Sequence, residues 1–191
     1  MDITLDVPAP LMAVTGGALA GRQHGKGRVR FRDDTEPRRP RAPPFGFAVG
    51  DYVTQQVTRD SGLTLYAYGF AGEEQRVAQR VAVLNECADA FERALGPLPW
   101  PDVRFVHVRP TEKETGVSLP GMILVSDFYF PDLEGLDASS GDLSDPATLG
   151  LLVIADELSH QWNFYATSFP NELSEGISTY TNALFLEVRH G

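Results

Sequence analysis

The spacing of apolar positions divides the chain in two. Up to about residue 68 they tend to recur every second residue; after Gly72 they recur every third or fourth. Period two marks half-buried strands, and a period near 3.6 marks amphipathic helices. "ITLDV" alternates, Pro8 and Pro10 interrupt, "LMAVT" follows, and Gly16-Gly17 makes a turn. "RVRFR" at 28–32 places Val29 and Phe31 on one face. "PRRPRAPP" at 37–44 carries four prolines, so it is neither a helix nor a central strand. "FAVGDYVTQQVT" and "LTLYAYG" predict two longer strands joined at Asp60-Ser61-Gly62. This part predicts a piece of an antiparallel sheet or sandwich.

Beyond Gly72, residues 73–96 place Val77, Val81, Leu84, Ala88, Phe91 and Leu95 at helical spacing, with Glu73-Glu74 at the start and Gly96 as the stop. "PLPWP" breaks the chain, "VRFVHV" (103–108) predicts a strand, and "GMILVSDFYF" (121–130) begins another. Residues 131–145 hold five acidic residues and two glycines and predict a loop. A helix is predicted from about Pro146 to Tyr165; its lead, "LGLLVIA", is apolar on every side and predicts burial all round. A last helix is predicted from about Leu173 to Val188. The boundary between the two parts falls near residues 68–72.

Composition narrows the function classes. The 191 residues are 42% hydrophobic and 22% charged, ordinary for a globular chain. A net charge of −10 argues against nucleic-acid binding, which needs a basic face. The basic residues that cluster, Arg22 to Arg41, lie in a Pro- and Gly-rich stretch that reads as solvated loop, with an anionic partner as the lesser alternative. The single cysteine, Cys87, sits among Val83, Leu84 and Phe91 at helical spacing and reads as core filler. No apolar run reaches membrane-spanning length. "MDITLDVPAP" has neither the charged nor the apolar region of a signal peptide, which fixes no compartment.

The candidate chemistry lies in "VIADELSHQWNFYATSFPNELSEG", residues 153–176. Residues four apart on a helix share a face, so Asp156 and His160 can converge on one point, with Glu157 beside them. H-E-x-x-H helices use this geometry to grip zinc and to place a glutamate as base. Glu175, at the start of the next helix, is a candidate third ligand. The plain alternative is that Asp156 and Glu157 are surface residues and His160 a satisfied core histidine. Against it, buried carboxylates are costly unless paired or metal-bound.

"ADELSHQWNF…NELSEGISTYTNALF" resembles the gluzincin aminopeptidases, the family of aminopeptidase N and leukotriene hydrolase, which carry H-E-L-x-H-Q-W followed by N-E-G-x-x-x-Y. The resemblance places Glu157 on the general base, His160 on the second zinc ligand and Glu175 on the third; Gln161, Trp162, Gly176 and Tyr180 match flanking positions. It implies substrate-contacting roles for Ser118, Gly121 and Tyr180. It extends upstream: "VPAPLMAVTGG" and "FGFAVGDYV" are similar to the last strands of the family's sandwich, and "FERALGPLPWPDVRFVHV" to the first helix and strand of its thermolysin-like domain. Asp156 stands where the family has its first zinc histidine. The spacer between His160 and Glu175, residues 161–174, is fourteen residues and shorter than the family's. Ser118 aligns with the glutamate that holds a substrate's amino terminus.

The expected fold is α+β: residues 1–70 the end of an antiparallel β-sandwich, residues 71–191 half of a thermolysin-like domain. The expected function is that of a gluzincin-like metallohydrolase relative acting on peptides through a metal-activated water. Asp156, His160 and Glu175 would hold a divalent metal, zinc or a harder ion such as manganese. Alternatives are a catalytically inactive scaffold or binding module, or a metalloenzyme with a non-peptide substrate. The expected partners are a peptide or small-molecule substrate, no nucleic acid, and a further domain or chain that completes the fold.

Overall fold

The structure is a computed structural model that describes residues 2–34, 46–98, 100–109, 116–127, 146–166 and 171–190. Its strands are β1 (Asp2–Pro8), β2 (Met12–Thr15), β3 (Ala18–Gly25), β4 (Arg28–Asp34), β5 (Phe47–Gly50), β6 (Tyr52–Thr58), β7 (Thr64–Phe70), β8 (Asp102–Val108), β9 (Gly116–Leu119) and β10 (Met122–Ser126). Its helices are α1 (Glu74–Leu95), α2 (Pro146–His160), a π-helical turn (Gln161–Ala166) and α3 (Asn171–His190). The chain is therefore a mixed α+β protein.

A five-stranded sheet, in the order β6-β7-β8-β10-β9, organises the molecule. Strand β8 runs parallel to both β7 and β10, while β6 and β9 are antiparallel to their neighbours. Alternation gives the sheet two faces. Leu65, Ala67, Val103, Phe105, Ile123 and Val125 meet the buried faces of the helices. Tyr68, Val106 and Met122 meet Val14 and Ala48 from the β2–β5 pair. A three-stranded sheet, β1-β4-β3, packs Val7, Val29 and Phe31 with Ala13 in a small third cluster.

Sheet and core both run through the boundary expected at residues 70/71. Strands β6 and β7 lie before it and hydrogen-bond into the same sheet as β8 to β10. The physical reason is that β7 is apolar on both faces, and its inner face, Leu65 and Ala67, needs α1 as cover.

Three expectations about local structure are corrected. "FAVGDYVTQQVT" is two strands: β5 pairs with β2, and β6 pairs with β7. At the break, a Cβ on Gly50 would lie 2.7 Å from the Tyr52 ring, so any side chain there would have to displace the ring. Arg22 lies in strand β3 rather than loop, since β3 pairs with β4; Arg28 and Arg30 lie in β4, where "RVRFR" alternates as expected. Asp6 draws Arg28 and Arg30 to itself at 2.9 and 3.1 Å. Helix α2 is not buried all round: Leu151, Ile154, Ala155 and Leu158 enter the core, while Leu149 is exposed and Leu152 and Val153 are half-buried. The loops expected at 37–44 and 131–145 lie outside the described residues. Cys87 is buried, and burial pushes its thiol well up. Among the described residues, no helix is long and apolar enough to cross a membrane.

Candidate metal centre

Helix α2 supplies two of the three candidate ligands because of its register. With Ile154, Ala155 and Leu158 fixed in the core, Asp156 and His160 fall on the flank that faces α3. His160 Nε2 lies 3.5 Å from Asp156 Oδ2 and 3.8 Å from Glu175 Oε2. One ligand atom from each of the three falls within 4.8 Å of the others. His160 is buried, Asp156 half-buried and Glu175 exposed, so the group opens to solvent on the Glu175 side.

The spacing suits a divalent ion. Tetrahedral zinc with bonds of about 2.0–2.1 Å sets its ligand atoms roughly 3.3 Å apart. Octahedral ions with bonds of about 2.1 Å set them roughly 3.0 Å or 4.2 Å apart. The two measured edges lie close to these values, so small side-chain adjustments would close the group on an ion. Two carboxylates and a neutral imidazole would balance a divalent charge.

Side chains behind the three orient them. Asp156 Oδ1 accepts from the Ser178 hydroxyl and from Asn182 Nδ2, the latter at 3.1 Å, leaving Oδ2 toward His160. His160 Nδ1 faces Asn163 Oδ1 at 3.3 Å and the Ser174 hydroxyl oxygen at 3.4 Å. Ser174 in turn donates to Asn163 Oδ1 at 2.7 Å, which uses its proton. Nδ1 therefore donates to Asn163 Oδ1, while Nε2 faces the carboxylates: in the metal-free protein it donates its proton toward Asp156, and a bound ion would take that proton's place.

Electrostatics follow from burial and crowding. Burial raises Asp156, but its hydrogen bonds with His160, Ser178 and Asn182 outweigh that, and its net direction is down. Burial lowers His160, but the Asp156 hydrogen bond and the charges of Asp156, Glu157 and Glu175 outweigh it, and its net direction is up. Burial pushes Glu157 up to about 7; the charges of Asp156 and Glu175 add to this, and His160 and the Ser118 N–H oppose it.

Glu157 does not join the three ligands. It reaches the edge strand β9, where its carboxylate accepts from the Ser118 N–H. A Cβ on Gly116 would lie 2.7 Å from Glu157 Oε1, so the missing side chain leaves room for the carboxylate. The structure thus brings Glu157 and Ser118 together. The Ser118 hydroxyl accepts from Gln161 Nε2 at 2.6 Å. Gly121 turns the chain between β9 and β10 with φ 71°, and its N–H donates to Gln161 Oε1 at 2.8 Å. Tyr180 is 66% exposed. It lies about 200° around α3 from Ser178, so it points away from Asp156.

Gln161 and Trp162 anchor the turn that follows His160. Gln161 is fully buried and also donates to the Leu119 carbonyl at 2.9 Å. Trp162 donates from Nε1 to the Gly96 carbonyl at 2.8 Å and meets Phe91 edge to face. The wide π-helical turn that these two anchors begin brings Asn163 under His160; such turns are rare and recur at functional sites.

Sequence reasoning missed Ser178, Asn182, Asn163 and Ser174. One signal was available: Ser174 and Ser178 lie four apart, both buried, on the face of α3 that also buries Thr181 and Phe185. Buried polar residues at helical spacing call for polar partners on the facing helix. No protein-family model matches this chain, and no curated protein matches it.

Proposed function

We propose that this chain is a gluzincin-like metallohydrolase relative that acts on peptides through an altered Asp/His/Glu metal site. The observation that carries the reading is the convergence of Asp156, His160 and Glu175 from two helices on one partly open point. A divalent ion bound there would polarise a substrate carbonyl and acidify water. Glu157, pushed up to about 7, is poised to take and return a proton near neutral pH. Strand β9 ends the sheet beside it, so an extended peptide could lie along the strand and be fixed by backbone hydrogen bonds. The mixed sheet covered by α1, α2 and α3 on one face supports the finer reading of a thermolysin-like half-domain.

Ser118 supplies no negative charge for a substrate's amino terminus, so the reading favours cleavage within peptides over release of single terminal residues. The experiment is hydrolysis of a quenched internal-peptide library with added manganese or zinc, comparing the wild type with Glu157→Gln. Turnover lost in the variant supports the reading. Turnover that persists in the variant, or none with either ion, contradicts it. The rival reading, a binding module without chemistry, draws on the exposed Leu173, Tyr180 and Val188 along α3.

A further inference from the structure

On the face of the five-stranded sheet opposite the helices lies a cavity of about 240 Å³. That is room for about eight waters. It separates β2 and the three-stranded sheet from β6, β7 and β8. Strand register explains its lining. Leu65, Ala67 and Val103 turn toward the helices, so Tyr66, Tyr68 and Arg104 turn to the other side. From across the gap come Met12, Val14 and Phe31.

Two cations border this apolar and aromatic space, and they differ. Arg104 is buried and spent: its guanidinium grips Asp102 at 2.8 and 3.3 Å and lies 5.5 Å from the Tyr66 ring centre. Arg22 is exposed. Among the described residues its contact is with the Phe31 ring, 5.3 Å away, and no carboxylate pairs with it. No acidic side chain is among the described lining residues. On a chain of net charge −10 this leaves Arg22, among the described residues, as a positive charge with no carboxylate partner at the rim of an aromatic pocket. A site of that kind selects an apolar body with a single negative end.

We propose that this cavity binds a small carboxylate with an aromatic or branched apolar body. The carboxylate faces Arg22, and the body lies against Met12, Phe31 and Tyr66. The inference stands apart from the metal centre, since the sheet separates the two.

The test is an amide-resolved NMR titration of the full chain with 3-phenylpropionate, 3-phenylpropanamide and acetate. The expected result is saturable shifts confined to β2, β3, β4 and β7 with phenylpropionate, at low-millimolar affinity or tighter. The neutral amide and acetate should each bind at least about tenfold more weakly. Arg22→Gln, at an exposed strand position, should weaken phenylpropionate about tenfold and leave the amide unchanged. Met12→Trp, which fills the cavity, should abolish the shifts. Equal binding of acid and amide, no effect of Arg22→Gln, or no saturable shift at these strands would overturn the proposal.

Discussion

Asn182 Nδ2 donates to Asp156 Oδ1 at 3.1 Å, and Ser178, one turn earlier on α3, donates to the same oxygen. Two donors on one oxygen hold a carboxylate and turn its second oxygen toward His160. A histidine ring offers one acceptor nitrogen at most on that side, so it cannot satisfy both donors. Asp156 is thus seated as an aspartate, and the surrounding residues do not read as the shell of a lost histidine.

Asp156→His should therefore lower the stability of the metal-free protein, by about 1–2 kcal/mol for the donor left without a partner. It should also move ion preference from manganese toward zinc, since imidazole suits zinc and carboxylate suits harder ions. Melting curves and metal titrations of the two proteins measure both. A variant as stable as the wild type, with unchanged preference, would mean that the Ser178 and Asn182 contacts do not position Asp156.

Glu157 makes stability depend on pH. Its pKa is raised in the folded protein to about 7 from an ordinary value of 4.5. The protonated form is therefore favoured by folding: the contribution is full below about pH 4.5 and is lost as pH rises through 7. Glu157→Gln should stabilise the metal-free protein above pH 7, by up to about 3 kcal/mol, and do little at pH 4. Denaturant titrations at the two pH values check this; equal effects at both would place Glu157 in solvent.

Gly116→Ala should displace the Glu157 carboxylate, because the new methyl would lie 2.7 Å from Oε1 in the present arrangement. The flexible side chain can yield, so the fold should survive with a small change in melting temperature. If Glu157 is the base for peptide hydrolysis, turnover should fall by about 10²-fold or more with little change in metal affinity. Full activity in this variant would separate Glu157 from the chemistry.

Gln161 joins the metal helix to the edge strand, bonding Ser118, Leu119 and Gly121 at once. Gln161→Leu should cost about 2–3 kcal/mol, chiefly through the orphaned Gly121 N–H and Leu119 carbonyl. Hydrogen exchange should quicken along β9 and at the π-helical turn before it does in α1.

Much of this was legible in the sequence, for local reasons. Helix α1 announced itself through Val77, Leu84 and Phe91, and the convergence of Asp156 and His160 through their spacing of four. Strand β3 was not legible, because "ALAGRQHG" lacks alternation and is held in place by its partner β4. The break between β5 and β6 was hidden because both halves keep strand character while their partners differ. The π-helical turn left no local signal, since Gln161 and Trp162 set it by reaching β9 and the end of α1. The seat of Asp156 was equally hidden, because its donors belong to another helix.

If Asp156, His160 and Glu175 form one divalent-metal site, isothermal titration of the metal-free protein with manganese and with zinc, beside His160→Ala, should show it. One ion per chain is expected, with an affinity loss in the variant larger than the roughly 10–100-fold that outer-shell changes cost. No saturable binding of either ion, or stoichiometric binding unchanged by His160→Ala, would contradict it.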